Sequence, residues 1–136
     1  MSTWKRWVIA ALVALQAAAS GAHGDFPPKH GGVMSLGGEV SFEVVFGAEG
    51  LTVFVEDHGD PIPTMNAQGS VRHVRSTDPP VVLVPDGGNR FLVPAFRARP
   101  GERLVLVVAF ADGTGGGGTV DVPCAGQPTC GATGRP

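Results

Sequence analysis

Residues 39–46 (EVSFEVVF) alternate: Val40, Phe42, Val44 and Phe46 face one way, Glu39, Ser41 and Glu43 the other. A period of two predicts a strand with one face on a core and the other toward water. Gly47-Ala48-Glu49-Gly50 reads as a turn, and residues 51–56 (LTVFVE) resume the alternation with Leu51, Val53 and Val55, so the pair predicts a hairpin. Residues 70–75 (SVRHVR), 81–84 (VVLV), 90–96 and 119–122 read as further short strands, with Gly- and Pro-containing turns at 85–89 and 99–102. Residues 104–110 (LVLVVAF) are apolar at every position and predict a central strand covered on both faces. Residues 57–63 (DHGDPIP) and 112–118 (DGTGGGG) read as loops by composition. About seven strands and no helical period beyond the first 22 residues predict an all-β chain, a single small antiparallel β-sandwich. Its core is expected at Val40, Phe42, Val44, Leu51, Val53, Val55, Leu104, Leu106 and Val108.

The amino-terminal segment has a different pattern. Lys5 and Arg6 precede an apolar run of 12 residues (VIAALVALQAAA), and Ser20-Gly21-Ala22 offers small residues for cleavage. This is the pattern of a cleaved secretory signal helix at residues 1–22, and it predicts a periplasmic protein. The run is shorter than the roughly 20 residues a spanning helix needs, so no membrane attachment is expected after cleavage. Pro27 and Pro28 then predict an extended arm over residues 23–38, before the sandwich at 39–122 and a tail at 123–136.

Composition sharpens this picture. Gly 21 and Pro 12 favour tight turns over long helices. Without Lys5 and Arg6, 8 of the 10 basic residues remain against 12 acidic ones, which argues against a nucleic-acid partner. Both Trp lie in the leader and Tyr is absent, leaving few platforms for stacking bases or sugars. No nucleophile elbow, zinc-protease helix or phosphate loop occurs, so no enzymatic activity and no organic cofactor are expected.

The 4 His are the remaining candidates for chemistry. Cleavage after Ala22 would make His23 the first residue, and its α-amine and imidazole can then chelate one metal ion together. His30, seven residues on, could add a third nitrogen and Asp25 an oxygen, a donor set that suits Cu(II), with zinc as the alternative. His58 lies among Glu56, Asp57 and Asp60, either as a metal ligand or as part of a solvated turn. His73 reads as a surface or partly buried residue of a strand. Cys124 and Cys130 lie beyond the last strand; in an exported chain they are expected to pair, with free thiols and metal ligation as the other possibilities.

Lys29-His30-Gly31-Gly32-Val33, residues 40–45 (VSFEVV) and residues 50–64 (GLTVFVEDHGDPIPT) occur here in an order that resembles a group of small exported proteins accompanying bacterial heavy-metal resistance systems. The pattern is also similar to the small β-domain of periplasmic adaptor (membrane-fusion) subunits of heavy-metal efflux pumps. Residues 85–91 (PDGGNRF) and 100–104 (PGERL) extend the likeness, which covers about residues 30–122. The resemblance implies a periplasmic β-domain for handling copper, silver, zinc, cobalt or cadmium, with His30 and His58 as the matching ligand positions and an efflux component as partner. The alternative reading is a metal-free interaction module docking on an envelope assembly, with residues 70–75 as an exposed edge strand.

Overall fold

The structure, a computed structural model, describes residues 26–124. Among them there is no helix; the chain forms ten strands in two antiparallel sheets, a sandwich-like all-β fold. The strands are β1 (Val33–Gly37), β2 (Val40–Gly47), β3 (Gly50–Asp57), β4 (Asp60–Pro61), β5 (Gln68–His73), β6 (Val81–Val82), β7 (Val84–Pro85), β8 (Arg90–Pro94), β9 (Arg103–Ala109) and β10 (Gly115–Asp121). The first sheet runs β1-β2-β3-β8-β7, with β4 folded back on β3; the second runs β10-β9-β5-β6. No helix among the described residues is long and apolar enough to cross a membrane. The leader, the first three residues of the arm and residues 125–136 lie outside the described residues.

The alternation puts the core where it was expected. All nine predicted positions are buried, and Val71, Leu83, Phe91, Val93 and Val120 join them between the sheets. Burying each Val or Leu contributes roughly 1.5–3 kcal/mol, so this cluster is the main source of stability.

Five local readings need correction. Residues 33–37, taken as arm, form β1, whose pattern is inverted: Ser35 and Gly37 point inward while Leu36 is 57% exposed. The inverted pattern reflects its neighbour, since β1 packs against β10 without pairing to it. The glycine run assigned to a loop is the first half of β10. A Cβ on Gly116 would lie 2.1 Å from the Gly37 carbonyl oxygen, and one on Gly118 would lie 2.5 Å from Ser35 Oγ. Only glycine lets the two backbones approach this closely. Ser35 Oγ donates across the seam to the Thr119 carbonyl at 2.7 Å.

Residues 81–84 form two fragments, not one strand. β6 pairs with β5 and β7 with β8, so the chain changes sheets at Leu83, which is buried between them. β9 is central in its sheet but covered on one face only, with Val107 51% exposed, because a two-layer fold leaves its outer face open. β5 is not a terminal strand: β9 pairs along its whole length, and β6 covers Ser70 and Val71 on the other side.

Candidate functional site

The outer face of β2 and β3 was expected to face water. Instead β2 is buried on both faces over most of its length, with Ser41 4% and Glu43 3% exposed. In the β2–β3 ladder Ser41 lies opposite Glu56 and Glu43 opposite Phe54, and residues 29–32 lie over these two pairs.

Glu43 organises the contact. Its carboxylate accepts the backbone N–H groups of Lys29 (3.0 Å), His30 (2.7 Å) and Gly32 (2.9 Å), and it pairs with His30 Nδ1 at 2.8 Å. The two glycines of the Lys-His-Gly-Gly motif are required by this path. Gly31 adopts a φ of 73°. A Cβ on Gly32 would meet the Val44 carbonyl oxygen at 2.7 Å and Glu43 Cγ at 2.8 Å. Lys29 Nζ donates to Glu56 Oε1 at 2.8 Å and to the Gly59 carbonyl at 2.7 Å. Burial alone would push the Glu43 carboxyl up, and it is the largest single influence. The His30 ring and the N–H groups of Gly32, His30 and Lys29 together outweigh it and hold Glu43 below the ordinary glutamate range.

The His30 ring stacks on Phe54 at 3.6 Å between centroids, 2° from parallel. With Nδ1 on a carboxylate, Nε2 is the nitrogen left to accept a proton or a metal ion, and 41% of the side chain stays exposed. Sequence reasoning found His30, placed Glu56 with His58 rather than with Lys29, and missed Glu43 and Phe54. The available signal was a carboxylate inside each of two apolar strands, EVSFEVVF and LTVFVE.

His58 has a different setting. With Gly59 it forms the two-residue turn between β3 and β4, at φ values of 50° and 88°. These are the paired positive values of a type I′ hairpin, so the expected loop is a hairpin and His58 is its tip. The His58 side chain is 77% exposed and its Nδ1 pairs with Asp57 Oδ1. The Phe26 ring packs on Gly59, within 3.1 Å of where a Cβ would sit, so the arm, the turn and Lys29 meet at one end of the sheet. His30 and His58 are linked through Lys29, whose backbone N–H meets Glu43 beside His30 and whose Nζ reaches the Gly59 carbonyl beside His58. Among the described residues no group of three or more His, Cys, Asp or Glu is placed to hold a metal ion. His23 and Asp25 lie outside the described residues, as does Cys130; Cys124 is not a free thiol.

His73 is the fourth imidazole. It stacks on Phe96 at 5.0 Å, 9° from parallel, and its buried Nδ1 faces Glu102 Oε2 at 3.2 Å without making a hydrogen bond.

The chain matches no protein-family model, no curated protein and no solved structure.

Proposed function

We propose that this chain is a periplasmic metal-binding accessory protein of a heavy-metal resistance or efflux system, with His30 as its anchored ligand, Cu(II) as the preferred ion and Zn(II) as the alternative. The observation that carries the reading is the fixed orientation of His30: Nδ1 is held by a buried carboxylate, the ring is backed by Phe54, and Nε2 is left available. A carboxylate behind an imidazole fixes its tautomer and the orientation of its ring. One imidazole does not make a site, so the other donors come from the amino terminus. His23 stands three residues before Phe26, a span of at most about 10 Å of chain. Phe26 itself lies against the His58 turn, so His23, Asp25 and His58 can join His30 at that end. The protein's role is to hold and pass on an ion to an efflux component, without chemical transformation.

Calorimetric titration of the chain beginning at His23 with Cu(II) and with Zn(II) tests this. His30→Asn keeps a donor for Glu43 and removes the imidazole; it weakens Cu(II) binding at least about tenfold, as does one Ser added before His23. His73→Asn leaves binding unchanged. Affinity of the Ser-extended chain equal to that of the parent removes the terminal chelate, and equal affinity in both variants overturns the reading.

A further inference from the structure

The described chain carries seven basic residues, and their distribution is uneven. Lys29 is paired with Glu56 and Arg90 with Asp86. The other five, Arg72, Arg75, Arg97, Arg99 and Arg103, lie together at the end of the second sheet where β5, β9 and β10 meet the turn before β9. Only Arg103 has a carboxylate partner there: it grips Asp121 with two bonds of 2.6 and 3.1 Å. Among the described residues, Arg72, Arg75, Arg97 and Arg99 have none. Four unneutralised guanidinium groups on a chain with an acidic surplus are a local charge excess that the fold itself does not use.

The surface there is concave and continuous. One groove of about 690 Å³ runs past Asp121, Arg103, Arg99, Arg75 and His73. A second of about 690 Å³ continues along Arg75, Arg99, Ser76 and Arg97, and a third of about 320 Å³ reaches Arg72 and Val81. Its supports are rigid. Residues 99–102 form a turn in which the Glu102 N–H donates to the Arg99 carbonyl at 3.1 Å and Glu102 Oε2 accepts the Arg99 N–H at 2.7 Å. The Gly101 N–H donates to the Val122 carbonyl and the Val74 N–H to the Arg103 carbonyl, both at 2.9 Å. Two of the three acidic lining residues are already engaged: Asp121 by Arg103, and Glu102 by the Arg99 N–H of the turn. Asp78 stands on the third groove.

We propose that this track is a docking site for an extended acidic peptide segment of a partner protein. Arginines strung along three joined grooves suit a ligand with carboxylates spaced along its length; a single small anion would need them gathered at one point. An anionic membrane is flat, whereas this surface is concave, and the chain's acidic surplus would be repelled by it. A single-stranded nucleic acid would want exposed stacking faces, and Phe96 beside this track is covered by His73; a duplex would meet the chain's acidic surplus. The inference is independent of the metal-binding reading.

The test is a titration of the chain beginning at His23, without metal, with a synthetic Glu-rich peptide at low and at physiological salt, followed by amide shifts in NMR. Shifts are expected at Arg72, Arg75, Arg97 and Arg99, with weakening by salt. Arg75→Glu with Arg99→Glu reduces affinity about tenfold or more, which is about 1.4 kcal/mol. Arg75→Gln with Arg99→Gln does so less strongly and serves if the reversal disturbs folding. Arg90→Glu, in a paired position elsewhere, changes nothing. The proposal is overturned if the double variants bind the peptide as the parent does. It is equally overturned if inorganic phosphate binds these residues as tightly as the peptide, or if vesicles of phosphatidylglycerol and phosphatidylethanolamine retain the chain while the peptide does not bind.

Discussion

Two histidines in this molecule sit in the same kind of frame, each stacked on a phenylalanine with Nδ1 toward a glutamate. At His30 the ring lies 3.6 Å from Phe54 and 2.8 Å from Glu43; at His73 it lies 5.0 Å from Phe96 and 3.2 Å from Glu102. The glutamates make the difference: the Glu43 side chain is 3% exposed and that of Glu102 37%. A buried carboxylate has no water to fall back on, so everything around it must satisfy it, and three backbone N–H groups do so together with the imidazole. An exposed carboxylate can exchange its partners for water at little cost. The same trio of residues is therefore a fastener on one sheet and an adjustable surface on the other.

The comparison can be broken most directly at the carboxylates. Glu43→Ala should cost about 3 kcal/mol in chemical denaturation, because it leaves three N–H groups and a ring nitrogen without their acceptor. Glu102→Ala should cost less than about 1 kcal/mol. Similar losses at the two sites would end the distinction. Double-mutant cycles sharpen it: the Glu43–His30 coupling should exceed about 1 kcal/mol, and the Glu102–His73 coupling should fall below about 0.5 kcal/mol.

Acid gives a smaller and more local effect. The folded-state pKa of Glu43 is depressed, so its contribution is fully present above the unfolded glutamate value and is lost as pH falls through the lower, folded one. Amide exchange at Lys29, His30 and Gly32 should therefore stay protected at neutral pH and accelerate in acid ahead of the sandwich core. In Glu43→Gln that pH dependence should vanish. The smallest effect belongs to the open end: Asp121→Asn removes the carboxylate that grips Arg103, on a surface where water replaces it, and should leave the melting temperature unchanged.

The core was legible because a period of two survives whatever packs outside it. Val40, Phe42 and Val44 face inward whether or not anything covers Glu43. What could not be read was the return of the arm. Alternation states which residues share a face; it does not state that residues 29–32 come back over one of them. The inverted β1, the strand of glycines and the sheet change at Leu83 share that origin, since each is set by a neighbour distant in sequence. At the candidate site His30 was legible as a residue type, whereas its orientation depends on Glu43, read as a water-facing strand position, and on Phe54, a strand residue given no role. His58 was read within a loop under either of its alternatives; that it stands at the tip of a tight hairpin follows from its positive φ, a region His tolerates better than most residues.

The glycine seam between β1 and β10 has a consequence for self-association at high protein concentration. Each of these strands is the outermost member of its sheet, and each lies against the other. Long unpaired edges are where one copy of a β-protein recruits the next. Here the two long edges shield each other, and the opposite edges are the two-residue strands β6 and β7, with a proline in the second. A side chain placed in the seam, as in Gly116→Val, would force the sheets apart at that corner. It would cost more than local packing, because both edges would be opened at once to templated growth into fibres.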